Sequence, residues 1–142
     1  MLKEILTIDM VQFIAEVADW EEAIRLAAAP LLANKFIEET YVTKMIANVK
    51  EFGPYIVLMP QIALPHARPE DGVNVMGISL LVIEKSVVLD AKREANVFFI
   101  LAAKDSNSHL ALLTEIAGVL SIQENVDALV SAKSYSVIEN MI

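Results

Sequence analysis

The stretch Val73–Ile83, VNVMGISLLVI, decides the fold class, because its second half is apolar at almost every consecutive position. A strand with one face in water alternates apolar and polar residues, whereas a strand covered on both faces is apolar throughout. Two shorter runs, Tyr55–Met59 (YIVLM) and Val97–Ala102 (VFFILA), have the same character. The sequence therefore predicts strands buried between two layers of helices.

Helical patterns separate these predicted strands. Asp19 and Glu22 have the spacing of a capping box, and a helix is expected behind them, with Pro30 kinking it or ending it early. Two further strands are predicted, one over Val11–Val17 and a short edge strand within Glu84–Asn96. A second helix is expected from Glu38 or Glu39 to about Val49, ended by Phe52-Gly53-Pro54. Three more helices are expected after Lys104–Ser108, over Val126–Ala132 and over Tyr135–Met141. Residues 1–142 are thus expected to form one α/β domain with helices on both faces of the sheet.

Composition narrows the classes of partner and compartment. The chain has 142 residues, no cysteine and a net charge of −8 from 19 acidic and 11 basic residues. Such an acidic chain is repelled by phosphate backbones and anionic lipid, so nucleic acid and membrane surfaces are poor partners. The absence of cysteine suits a reducing cytoplasm, and no apolar run reaches the roughly 18 residues that a membrane span needs. A cytoplasmic protein is expected.

A single histidine is held in a stiff segment. His66 lies in IALPHARPEDGV, Ile62–Val73, between Pro65 and Pro69. Proline fixes its own φ and restricts the residue before it. A rigid loop after a buried strand suits a reactive side chain whose geometry must be ready before its partner arrives.

The second histidine, His109, follows the polar segment Lys104–Ser108 near a predicted helix N-terminus, which favours anions and disfavours an imidazolium. A neutral imidazole nitrogen can attack phosphorus, while a second imidazole, Arg68 and helix amides hold the phosphoryl oxygens. Phosphoryl chemistry is one interpretation. From the spacing alone, the simpler interpretation is that both histidines are ordinary surface residues. A metal site with Asp or Glu as a third ligand is a further alternative, although the sequence contains no recognised ligand pattern.

Other polar residues near the histidines also have two interpretations. Arg68 either binds a phosphoryl group or pairs on the surface with Glu70 or Asp71. Ser106 and Ser108 are predicted to be helix caps rather than nucleophiles, because no G-x-S-x-G turn surrounds them.

Four segments together resemble a known family. They are EEAIRLAAAPLL (Glu21–Leu32), ETYVTKMIANVKEFGPYIV (Glu39–Val57), IALPHARPEDGV (Ile62–Val73) and HLALLTEIAGVL (His109–Leu120). The chain resembles the enzyme IIA component of the mannitol–fructose type (type 2) of the bacterial phosphoenolpyruvate-dependent sugar phosphotransferase system. The wording GPYIV…IALPHARPEDGV is most similar to the ascorbate branch. The most specific feature is A-x-P-H combined with the later N-x-H-L-x-x-L-x-x-I-A.

The resemblance implies a fold, an activity and partners. The fold is a mixed, mostly parallel sheet flanked by helices. The activity is that of a phosphotransferase with a phosphohistidine intermediate: the phosphocarrier HPr donates a phosphoryl group to His66, which passes it to a cysteine of a IIB component, and the membrane component IIC couples this to sugar uptake. His109 matches the family's supporting histidine. No metal and no organic cofactor are implied.

One family residue is not matched. Mannitol-type members carry an arginine before the active loop, and Lys50 stands at the corresponding place by ungapped counting. Lysine lacks the planar fork that grips two phosphoryl oxygens, so Arg68 is expected to replace that contact. A small apolar docking patch is expected around His66 from Ile62 and Leu64.

Two other functions compete with transport. One is a regulatory module whose histidine phosphorylation is read by a partner protein. The other is a metal-dependent hydrolase that uses His66, His109 and a carboxylate. Neither the sugar nor the phosphorylated nitrogen of His66 follows from the sequence.

Overall fold

A five-stranded mixed sheet forms the centre of the molecule, in a computed structural model that describes all residues 1–142. The strands occur in the order β1-β4-β5-β3-β2 across the sheet. The β1–β4 and β3–β5 pairs are parallel, and the β4–β5 and β2–β3 pairs are antiparallel. Their bounds are β1 Val11–Ile14, β2 Val57–Met59, β3 Gln61–Ala63, β4 Gly77–Val88 and β5 Glu94–Ala102.

Six α-helices surround the sheet, and two short 3-10 turns cover Ile8–Met10 and Pro69–Asp71. The helices are α1 Leu2–Ile5, α2 Trp20–Ala33, α3 Glu39–Phe52, α4 Ser106–Leu120, α5 Gln123–Val130 and α6 Tyr135–Glu139.

Opposite faces of the central strands contact different helices. On one face, the hydroxyl of Ser79 donates to the carbonyl of Ala27 in α2, at 2.6 Å. On the other face, Phe99 lines an apolar contact region with Ile116 of α4 and Leu129 of α5. Every residue from Gly77 to Ile83 is buried as a result. The predicted α/β class, a single domain with a mixed sheet flanked by helices, is confirmed.

Helix α2 continues through Pro30 to Ala33. Of the two outcomes expected at Pro30, a kink or an early end, the early end is therefore wrong. Proline removes the N–H that would bond to the carbonyl four residues earlier, which is that of Leu26. The side-chain amide of Gln12 in β1 donates to this carbonyl instead, at 2.6 Å. A partner from a neighbouring strand thus satisfies the acceptor that Pro30 leaves free, and the helix gains one more turn.

We expect Gln12→Ala to lower the free energy of unfolding by about 1–2 kcal/mol, because it leaves the partly buried Leu26 carbonyl without a donor. In a Pro30→Ala background the amide of residue 30 can bond to that carbonyl, so the same substitution should cost about 1 kcal/mol less. Urea unfolding of the four variants measures both values. Strictly additive effects of the two substitutions would contradict this coupling.

Several predicted boundaries need correction. The strand expected over Val11–Val17 ends at Ile14. The strand expected over Val73–Ile83 begins at Gly77 and continues to Val88, so the separate edge strand expected within Glu84–Asn96 is the second half of β4. The buried side chain of Asn96 donates to the carbonyls of Ile83 and Glu84, which keeps the strand attached to β5 where the pairing register shifts.

The boundary between strand and loop after Pro60 also differs from the prediction. Ile62, predicted to start the loop segment around His66, belongs to strand β3, which pairs with β2 across a turn at Pro60 and Gln61. Gln61 has a φ of 75°, the left-handed conformation that a type II turn requires at its third position after proline. The loop that carries His66 is therefore shorter, because it starts at Leu64.

Candidate functional site

Two strand ends bring the histidines together. Strands β3 and β5 are parallel, so their carboxyl ends lie at the same edge of the sheet. His66 follows β3 by three residues, and His109 lies in the first turns of α4, which follows β5. Their ring centroids are 5.3 Å apart, with an angle of 46° between the ring planes. In α/β proteins, ligand-binding and active sites commonly lie in crevices at the carboxyl ends of the strands.

The imidazole of His66 has a defined orientation. Its Nδ1 lies 2.8 Å from the backbone carbonyl of Leu64. A carbonyl can only accept, so Nδ1 carries the proton in the neutral ring and Nε2 keeps a free lone pair. The rings of His66 and Tyr55 are nearly perpendicular, with planes at 85° and centroids 5.9 Å apart. In this tautomer Nε2 is the ring nitrogen of His66 that can act as a nucleophile.

The start of α4 carries His109. Asp105 is the N-cap, and its carboxylate accepts from the backbone N–H of Ser108 at 2.7 Å. The prediction that Ser106 and Ser108 cap this helix is therefore wrong, because both lie in its first turn, after Asp105. The pKa of Asp105 is lowered chiefly by this bond to Ser108. The pKa of His109 is also lowered, first by burial and then by the neighbouring His66, which favours a neutral ring.

We expect His109 to titrate below 6.5, its ordinary value, in the native protein. In His66→Ala its pKa should rise only part of the way, because burial, the larger cause, persists. A lowered folded pKa also means that this residue costs stability as the pH falls below 6.5. Imidazole NMR titration of both proteins measures the shift, and a pKa of His109 unchanged by His66→Ala would contradict the proposed coupling.

The two imidazoles open into a cleft of about 360 Å³. Its remaining lining residues are Asn48, Tyr55, Ala67, Arg68, Pro69, Asp105 and Ser106. Burial raises the pKa of Tyr55, an effect that its interaction with Asn48 opposes, so the phenol stays neutral. Asn48 and Tyr55 were not proposed from the sequence. Asn48 stands three residues after the inward-facing Met45, and a polar residue on the apolar stripe of a helix is a signal that could have identified it.

The two cations near the active loop have different positions. Arg68 lines the cleft, and its side chain makes no ion pair with Glu70 or Asp71. The carboxylate of Asp71 instead accepts from the backbone N–H of Arg68, at 2.9 Å. Lys50 lies outside the cleft lining, with its Nζ 3.2 Å from Glu21. Of the two, only Arg68 is available to an anion in the cleft.

The docking patch expected from Ile62 and Leu64 is wrong, because both side chains are fully buried. Of the exposed apolar residues, Tyr55 lines the cleft and is 42% exposed, and Leu110 follows His109 in the chain and is 65% exposed. Strand alternation could not reveal this, because β3 is covered on both faces.

The structure gathers no group of three or more His, Asp or Glu side chains in an arrangement that could hold a metal ion. None of its helices has both the length and the apolar character needed to cross a bilayer.

The fold and the paired histidines agree with one class of protein. Residues 4–142 match the family model described as "Phosphoenolpyruvate-dependent sugar phosphotransferase system, EIIA 2". The chain belongs to this family, the type 2 IIA components of the sugar phosphotransferase system, which are components of a phosphoryl-transfer chain.

Individual relatives carry different sugar names. The ascorbate-specific EIIA component of Escherichia coli K12 is 33% identical over 118 residues, which cover 81% of this chain and 77% of that protein. The solution structure of the mannitol-specific cryptic IIA enzyme of E. coli has a TM-score of 0.91 and 28% identity, covering 99% of this chain and 96% of that one. The fold also matches E. coli mannitol IIA in its complex with phosphorylated mannitol IIB, with a TM-score of 0.84 and 22% identity over 96% and 95% of the chains.

Proposed function

We propose that this protein is a cytoplasmic phosphoryl carrier that accepts a phosphoryl group from HPr on His66 and passes it to a cysteine of a IIB component. The single observation that carries the proposal is the orientation of His66. Its Nδ1 is engaged by the Leu64 carbonyl at 2.8 Å, and Nε2 is left free beside the second imidazole. Family membership supports the role in a sugar phosphotransferase system.

The first transfer exchanges one phosphorus–nitrogen bond for another. The lone pair of His66 Nε2 forms a bond to phosphorus while the bond to the donor imidazole breaks, and that electron pair returns to the donor. The two imidazoles are similar in basicity, so the reaction is close to thermoneutral and reversible. Catalysis then consists of alignment across a loose transition state and of stabilising the charge on the equatorial oxygens.

The second transfer moves the same group to sulfur. A thiolate of the IIB partner attacks phosphorus, and the electron pair of the breaking bond returns to His66 Nε2. The mannitol IIA protein of similar fold forms a complex with a phosphorylated IIB, which supports a IIB partner here. The exposed apolar residues Tyr55, which lines the cleft, and Leu110, which follows His109 in the chain, are proposed to contact a transient partner.

Two side chains are proposed to hold the phosphoryl oxygens. Arg68 supplies a planar fork of donors from the cleft wall. His109, held neutral by its lowered pKa, supplies one N–H next to the acceptor ring. Lys50 is not proposed for this role, because it lies outside the cleft lining and pairs with Glu21.

For the carbohydrate we propose an ascorbate-type system, coupled through its own membrane component IIC. The ascorbate-specific relative is 33% identical over 118 residues and supports this choice. The mannitol-specific cryptic IIA component of E. coli K12 is 34% identical over 117 residues, so overall identity does not separate the two sugars, and the choice follows the ascorbate-like sequence around His66. The IIA component itself contacts only proteins, so selectivity is tested with partners: phosphorylated protein should discharge onto an ascorbate IIB at least tenfold faster than onto a mannitol IIB. The reverse order would assign it to the mannitol type.

The experiment that tests the carrier role is phosphoryl uptake from labelled phosphoenolpyruvate through enzyme I and HPr. We expect one acid-labile phosphoryl group per chain, which is then lost to an added IIB component. Label that forms but passes to no IIB protein would favour the regulatory alternative. No label in the presence of a competent donor would refute the proposed function.

A further inference from the structure

A buried tyrosine binds the active loop directly behind His66. Tyr41 lies in α3 and is fully buried. Its hydroxyl accepts from the backbone N–H of Ala67 at 3.0 Å and donates to the backbone carbonyl of Leu101, at the end of β5, at 2.5 Å. The hydroxyl therefore uses its donor and one acceptor site to connect the loop to the sheet.

The same β5 residue also holds the chain in front of His66. The backbone N–H of Leu101 donates to the carbonyl of Pro65, at 3.2 Å. Pro65 and Ala67 are the two neighbours of His66, so one residue of β5 holds the first directly and the second through the Tyr41 hydroxyl. A backbone fixed on both sides leaves the imidazole few directions in which to point.

The bridge is independent of pH in the range where the protein works. Burial raises the pKa of Tyr41 to about 12, so the phenol keeps its proton. An ionised phenolate could not donate to the Leu101 carbonyl.

The start of α3 also holds the exit of the loop. The hydroxyl of Thr40 donates to the carbonyl of Asp71 at 3.0 Å, and the backbone N–H of Glu38 donates to the carbonyl of Gly72 at 2.8 Å. Gly72 has a φ of +137°, and a Cβ there would come within 2.8 Å of the Thr40 hydroxyl. One helix turn thus contacts the loop both beside His66 and at its end.

We propose that Tyr41 is a positioning residue for phosphoryl transfer: its hydroxyl fixes the peptide between His66 and Ala67, and thereby the direction of His66 Nε2 and the bond from Nδ1 to Leu64. The inference rests on the proposed carrier function and deepens it. Tyr41 does not line the cleft, so it acts through the loop and not on the phosphoryl group.

The test compares Tyr41→Phe with a matched control, Tyr135→Phe. The hydroxyl of Tyr135 also donates to one backbone carbonyl, that of Leu6 at 2.8 Å, and it is not among the residues of the cleft. In Tyr41→Phe we expect the maximal rate of phosphoryl uptake at saturating HPr to fall at least tenfold, with the half-saturating HPr concentration within twofold of wild type. Tyr135→Phe should change neither value by more than twofold.

A second readout does not depend on phosphorylation. In wild type, nitrogen NMR should show His66 as the neutral tautomer protonated at Nδ1, with well-separated Nδ1 and Nε2 shifts. In Tyr41→Phe the two shifts should move toward each other, because a released loop loosens the bond to Leu64 and both tautomers become populated. If wild type takes up no label, the carrier function fails while this measurement still decides the role of Tyr41.

Three results would overturn the inference. Unchanged rates and unchanged nitrogen shifts in Tyr41→Phe would show that the hydroxyl does not position the ring. An equal loss of rate in Tyr135→Phe would show general destabilisation. If Tyr41→Phe does not fold, hydrogen exchange of wild type decides: the Ala67 amide should be protected at least a hundredfold, and exchange at the unprotected rate would mean that the bond to Tyr41 is not kept.

Discussion

His66→Ala is expected to abolish phosphoryl uptake completely, because it removes the nucleophilic nitrogen on which the carrier function depends. The chain has only two histidines, so the number of acceptors is unusually easy to test. His66 is half-buried, and its single hydrogen bond is to Leu64 in its own loop. The substitution should therefore leave the fold intact, and an unchanged melting temperature is the control.

The comparison variant for this experiment is His109→Ala. It keeps Nε2 of His66 and removes the neighbouring N–H donor, so label should still be taken up, at a rate lower by about 10²-fold if this donor stabilises the transition state as such groups commonly do. Acid-labile label on His66→Ala would place the acceptor at His109. Loss of label in His109→Ala alone would reverse the two proposed roles.

Arg68→Ala should lower both uptake from HPr and discharge to IIB by about 10²-fold. The guanidinium lines the cleft without a carboxylate partner, so its donors are available when charge develops on the phosphoryl oxygens. Arg68→Lys should recover part of the rate, since lysine keeps the charge but not the planar pair of donors. Rates are measured by rapid quench in each direction.

Lys50→Ala is the matched control for loss of a positive charge. Lys50 is an exposed cation whose partner is Glu21, and its removal should change neither rate by more than twofold. If Arg68→Ala leaves both rates unchanged, Arg68 has no phosphoryl contact. If Lys50→Ala is the slower variant, the ungapped match of Lys50 to the family arginine is functionally correct and the assignment of Arg68 is wrong.

Of the three apolar runs that predicted buried strands, two are buried, whereas Tyr55–Met59 contains the partly exposed edge strand β2. The apolar pattern was also an unreliable guide to where elements end. Gly77–Ile83 and Val97–Ala102 are buried on both faces, as continuous apolar runs predict. The early end expected as one alternative at Pro30 is wrong, because the rule for proline considers only the hydrogen bonds within the helix itself. The donor that replaces the missing bond, Gln12, belongs to a different element.

The candidate site was predictable only in part. The prolines around His66 and the polar segment before His109 identified the two histidines, and proximity in sequence identified Arg68. Ile62 and Leu64 were misassigned, because one-dimensional proximity to His66 does not tell which side of a strand faces water. Asn48 and Tyr55 were missed because they reach the cleft from the end of α3 and the segment after it.

The sequence by itself determined what depends on neighbours along the chain: the apolar strands, the Asp19 cap of α2, the stop at Gly53 and the stiffness around His66. These features follow from backbone stereochemistry and short-range hydrogen bonds. Only the tertiary structure decided that β3 and β5 are parallel neighbours, which brings the ring centroids of His66 and His109 to 5.3 Å from each other. Likewise, only packing brings the hydroxyl of Tyr41 to Ala67 and Leu101, because strand pairing and burial are set by the free energy of the whole core and not by any single segment.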